Sequence, residues 1–99
     1  LIKGGEGNDL IKGGAGSDRL YGEAGSDIFV ISSFITNGKD TIYDFDVDVD
    51  TIGLSGLSSS ELNIQGSGNN TNILQGDNVL AVLANVNVGF NDITFTIIS

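Results

Sequence analysis

Large apolar residues recur at Ile2, Ile11, Leu20 and Phe29, nine positions apart each time. Between them lie polar, glycine-rich stretches, so each unit reads as a six-residue loop followed by a three-residue strand whose central side chain points inward. The array runs from residue 1 to about residue 31 and ends on the longer apolar run Phe29, Val30 and Ile31. SSFITNGKD then breaks the period. DTIYDFDVDVDTIGL follows with an alternation that predicts a strand, with Ile42 on one face and Tyr43 on the other. Beyond residue 50 further strands are predicted at 62–65, 72–75, 79–84 and 93–98. Gly66, Ser67 and Gly68 mark one turn, and Gly76, Asp77 and Asn78 another, which predicts a hairpin between the second and third of these strands. Ser58 and Glu61 have capping-box spacing, enough for a single helical turn at most.

The polar half of the unit is as regular as the apolar half. GGEGNDLIK, GGAGSDRLY and GEAGSDIFV start at Gly4, Gly13 and Gly22. Aligned, they read G-G-x-G-x-D-x-U-x, with Asp9, Asp18 and Asp27 in register two positions before the large apolar residue U. Calcium takes six to eight oxygens in a forgiving geometry, mostly carboxylates and backbone carbonyls. Alternating glycines can turn carbonyls toward one point because they tolerate positive φ. One aspartate per loop supplies charge, and two facing loops would complete a shell. A flexible glycine-rich linker would not keep aspartate and a bulky hydrophobe in phase. Leu1, Ile2 and Lys3 look like the tail of an earlier copy. Gly38, Asp40 and Ile42 read as a degenerate fourth copy after a four-residue insertion. Glu23 stands where the third copy should have its second glycine, and no fifth copy is read after it.

Composition narrows the function classes. Ten aspartates and three glutamates against four basic residues give a formal charge of -9, which repels nucleic acid and suits divalent cations. Hydrophobic content of 39% argues against a purely disordered acidic tail. With no histidine and no cysteine, the usual bases, nucleophile pairs and zinc ligands are missing, and no enzyme active site is expected within these residues. Disulfides are excluded for the same reason, and no stretch approaches the ~20 apolar residues of a membrane helix. The chain opens inside a repeat and without methionine, which suggests a C-terminal piece of a longer protein with further repeats upstream.

The first fifty residues resemble the C-terminal end of RTX proteins, the bacterial secreted proteases, lipases, epimerases and cytolysins exported by type I secretion. The nonapeptide is that family's calcium-binding signature. DTIYDF, from Asp40 to Phe45, looks like the stretch that follows the family's last repeat, and the final half, through its hydrophobic alternation and NDITFTIIS, resembles the β-rich region that precedes or includes an uncleaved secretion signal. The resemblance implies an all-β fold: a right-handed parallel β-roll over residues 1–45, then a β-rich C-terminal cap over residues 46–99. Two nonapeptides make one turn, so Ile2 should lie over Leu20 on one sheet and Ile11 over Phe29 on the other. One calcium ion should take the carbonyls of Gly5, Gly7, Gly22 and Ala24 with the carboxylates of Asp9 and Asp27. A second should take Gly14, Gly16 and Asp18 with Asp40, and Asn37 as carbonyl donor. Asp44 either joins an ion or hydrogen-bonds a turn. Asp46, Asp48 and Asp50 are expected on a solvated strand face. The implied function is an extracellular module that folds on calcium and supports secretion and stability of a larger protein. A calcium-dependent adhesin or self-assembling subunit is the alternative, joined through the open roll end or the C-terminal β region.

Overall fold

Each nine-residue unit delivers one short strand: β1 (Ile2–Lys3), β2 (Leu10–Lys12), β3 (Arg19–Tyr21) and β4 (Ile28–Ser32). The computed structural model describes residues 1–13, 16–32 and 39–98. β5 (Asp40–Ile42) and β6 (Thr51–Ser55) continue the series. Two- and three-residue strands cannot stand alone, so each is held by pairing with the strand two places along the chain. The odd strands pair with one another in parallel, Ile2 against Leu20 and Leu20 against Ile42. The even strands do the same, Ile11 against Phe29 and Phe29 against Ile52.

The rest of the chain extends both sheets. β7 (Leu62–Ser67), β8 (Asn70–Gln75) and β9 (Asn78–Leu83) form an antiparallel meander. β9 lies parallel to β5, and β10 (Phe95–Ile97) lies parallel to β6. The result is a six-stranded sheet in the order β1-β3-β5-β9-β8-β7 facing a four-stranded sheet in the order β10-β6-β4-β2. Both sheets run without a break across residue 45. The architecture is all-β apart from two single 3-10 turns among the described residues, the first at Ser59–Glu61 where the capping-box spacing placed it.

The inward positions of the repeat make the core. Leu20, Phe29, Ile42 and Ile52 are fully buried, and Phe45 packs its ring 6.0 Å from that of Phe29. Burial of such side chains contributes roughly 1.5–3 kcal/mol each. Ala81, Leu83, Ile73 and Leu54 extend the same core under the meander.

Three expectations change. The alternation from Asp44 to Asp50 is no strand: Asp46 O accepts the amides of Val49 and Asp50 and closes a turn between β5 and β6. The turn expected at 66–68 falls at Gly68 and Asn69, so the meander holds two hairpins where one was expected. Asp50 is buried, not solvated; only Asp46 and Asp48 lie exposed.

One buried hydroxyl pins the connection after β9. Thr71, fully buried, donates to Val86 O and accepts from Val88 N–H at 3.0 Å. Thr71→Val keeps the shape but orphans both backbone groups, at a cost of about 1–3 kcal/mol. A urea midpoint unchanged by that substitution would contradict the role given to the hydroxyl.

Candidate metal centre

The loops that join the sheets stack as regularly as the strands do. On one edge, Asn8 Oδ1 accepts Ser26 N–H at 2.7 Å, and Gly25 sits against Gly7 O. Asp9 N–H donates to Asp27 Oδ1 at 2.9 Å, and Asp9 O accepts Ile28 N–H. On the other edge, Ser17 Oγ accepts Lys39 N–H at 3.1 Å. There Asp18 N–H donates to Asp40 Oδ1 at 3.2 Å, and Asp18 O accepts Thr41 N–H. The residue before each aspartate, variable in the motif, thus carries loop-to-loop contacts at Asn8 and Ser17. Only the polar character of that position hinted at them.

Asp27 and Asp40 each spend Oδ1 on this ladder, and none of the four aspartates pairs its Oδ2. Oδ2 of Asp9, Asp18, Asp27 and Asp40 is buried without a hydrogen-bond partner. Asp27 is 1% exposed and Asp40 0%. The orphans gather around the first glycine of each copy. A Cβ on Gly13 would meet Asp40 Oδ2 at 2.8 Å and Asp18 Oδ2 at 2.9 Å, so both oxygens converge on one point. A Cβ on Gly4 would meet Asp9 Oδ2 at 2.7 Å and Gly22 O at 3.0 Å. Asp27 Oδ2 lies against Gly22 itself. Glycine is needed here for room, since any side chain would fill the cradle.

Unpaired buried carboxylates resist ionisation. Burial is the main cause that raises the Asp27 pKa, partly offset by Asp9 N–H and reinforced by the charges of Asp50, Asp9 and Asp44. Burial raises Asp40 to about 6, again offset by a backbone N–H, that of Asp18, and reinforced by the Asp18 charge. An orphaned carboxylate at neutral pH costs several kcal/mol unless a cation sits beside it. The donors are all oxygens, which suits a hard divalent cation such as calcium. Among the described residues no three acidic side chains converge, so carbonyls would have to supply the remaining ligands.

The structure thus brings Asp9 to Asp27 and Asp18 to Asp40, and places Gly22 O beside Asp9. Gly5, Gly7 and Gly16 hold positive φ values of 86°, 92° and 88° in the loops. Ala24 lies exposed in the loop that faces Gly5 and Gly7. Gly14 and Asn37 lie outside the described residues.

Asp44 takes the hydrogen-bonding alternative. Its two oxygens accept Gly22 N–H at 2.8 Å and Glu23 N–H at 2.7 Å, which holds Glu23 at φ 65°. The ladder also has a rung that the nonapeptide pattern did not announce. Asp27 N–H donates to Asp50 Oδ1 at 2.9 Å, and Asp27 O accepts Thr51 N–H. Asp50-Thr51-Ile52 therefore continues the edge as a fifth unit, contrary to the expectation that none exists. The repeated triplet at Asp40-Thr41-Ile42 and Asp50-Thr51-Ile52 was its signal.

Residues 1–29 match the family model of the RTX calcium-binding nonapeptide repeat, in four copies. Searches among curated proteins and among solved structures gave no match.

Proposed function

We propose, with the RTX-type repeats of residues 1–29 as premise, that this chain is a calcium-dependent folding module of an extracellular protein exported by type I secretion. The single observation that carries the calcium reading is the set of four buried, unpartnered Oδ2 atoms, one per repeat aspartate. Asp9 and Asp27 would hold one ion with carbonyls of Gly5, Gly7, Gly22 and Ala24. Asp18 and Asp40 would hold a second with Gly16. The strands that alternate between two sheets and pair in parallel support a β-roll as the frame of both sites. No catalysis is assigned to these residues.

Linkage supplies the mechanism. Without a cation the folded form carries clustered, desolvated carboxylates, and its glycine-rich loops lose much entropy on ordering. A ligand that binds only the folded form stabilises it by RT ln(1 + [L]/Kd), about 2.7 kcal/mol per site at a hundred times Kd. In calcium-poor cytoplasm the chain would stay threadable, and outside the cell it would fold.

Equilibrium dialysis should find two calcium ions per chain, and circular dichroism should gain β signal as they bind. Identical spectra in chelator and in millimolar calcium would refute folding on the ion. Asp40→Asn keeps the acceptor for Asp18 N–H but removes a charge. It should cut uptake to one ion and raise the β signal that remains in chelator.

A further inference from the structure

Two aspartates differ from the other four. Every oxygen of Asp44 and Asp50 has a backbone donor: Gly22 and Glu23 for Asp44, Asp27 and Asp46 for Asp50. Asp50 is otherwise placed as Asp27 is. Asp9 N–H reaches Asp27 Oδ1 at 2.9 Å, and Asp27 N–H reaches Asp50 Oδ1 at the same distance. β2 pairs with β4 in the first step and β4 with β6 in the second. The difference lies at the second oxygen. In Asp27 it is buried and orphaned, whereas in Asp50 it accepts Asp46 N–H at 2.9 Å from a turn four residues back.

We propose that Asp44 and Asp50 form a cation-free terminal rung that positions one calcium site and sets its affinity without binding an ion. The inference rests on the calcium reading above. Asp50 fixes the backbone of Asp27 from below, as Asp27 fixes that of Asp9. Asp44 fixes the Gly22–Glu23 peptide, at the start of the loop whose Gly22 and Ala24 carbonyls would serve the same ion. Both carboxylates accept main-chain amides of the 22–27 loop, so their negative charge lies beside the site and attracts a dication to it. Backbone amides close the rung where the other rungs leave an oxygen open. The ladder can therefore end here without demanding a further ion.

Selectivity between the two sites tests this. In an Asp40→Asn background the Asp9–Asp27 site is the one left, and in an Asp27→Asn background the Asp18–Asp40 site is. Adding Asp50→Asn to the first should raise the calcium midpoint in equilibrium dialysis roughly tenfold while one ion per chain still binds at saturation. Added to the second, it should leave the midpoint unchanged. Asp44→Asn, whose hydrogen bonds are more exposed, should act the same way and guards against misfolding of the Asp50 variant. Loss of the remaining ion at saturation would make either residue a ligand and overturn the proposal. Equal shifts in both backgrounds would reduce the rung to general stability and overturn it too. If the unaltered protein takes up no calcium, the calcium reading fails first, visibly, and this inference with it.

Discussion

Gly25→Ala is expected to destabilise the calcium-bound protein by about 2–6 kcal/mol, from roughly 1–3 of backbone strain and 1–3 of overpacking. Gly25 has φ +97°, outside the range an L side chain favours, and its Cβ would land on Gly7 O with Asn8 Oδ1 3.2 Å away. Neither neighbour can yield cheaply. Gly7 O is main chain, and Asn8 Oδ1 holds Ser26 N–H in the contact that stacks the two loops. Gly5→Ala is the control: φ there is +86°, yet nothing lies within 4 Å of the added carbon. It should cost only the strain, roughly 1–3 kcal/mol. Urea unfolding of both variants in excess calcium separates the contributions. Equal losses would mean that the loops do not touch as described. Because Gly7 lies in the Asp9 loop, Gly25→Ala should also weaken calcium binding more than Gly5→Ala does.

The parts of this fold legible in the sequence are those that repeat. One inward side chain and one loop aspartate per nine residues fix the register, and the structure pairs Ile2 with Leu20 and Ile11 with Phe29. The same period puts Asp9 over Asp27. The insertion before Asp40 does not disturb the pairing, because Leu20 still meets Ile42. The pattern misleads where a second period appears. Aspartate and valine alternate from Asp44 to Asp50, and period two is the usual mark of a strand. Short carboxylates can instead satisfy nearby backbone amides, and here they do: Asp46 Oδ1 takes Asp48 N–H, and Asp50 Oδ2 takes Asp46 N–H. That local chemistry beat the pattern.

Non-local placement was illegible for a different reason. The run Val79 to Ala84 reads as a strand, but nothing in it names β5 as its neighbour. Its residues from Leu80 onward are buried without alternation, as befits a strand covered on both faces, and it sits between β5 and β8. Through β9 and β10 the second half of the chain is tied to the repeat sheets. Calcium binding in the first half is therefore expected to order the second.

Acidification should stabilise the metal-free protein and weaken its dependence on calcium. The sign follows from where the protons bind. Asp40 has a folded-state pKa of about 6 against an ordinary aspartate value of 3.8, and Asp27 is shifted the same way, both chiefly by burial. Between those values the folded form holds protons that the unfolded form has lost, so stability falls as pH rises through this window and stays low above it. For Asp40 alone the swing is on the order of 2–3 kcal/mol. Calcium reverses the dependence, because a bound cation needs both carboxylates ionised and its affinity drops as they take up protons. The β circular dichroism in chelator should therefore rise from pH 7.5 to pH 4.5, while that in millimolar calcium, read at a fixed urea concentration, falls toward it. The two should meet near the lower pH. Asp40→Asn removes the carboxyl that burial pushes up to about 6 and should flatten the chelator series. A metal-free protein that grows more stable from pH 5 to 7.5 would show that these carboxylates are not buried unpaired, and the case for a cation beside them would go with it.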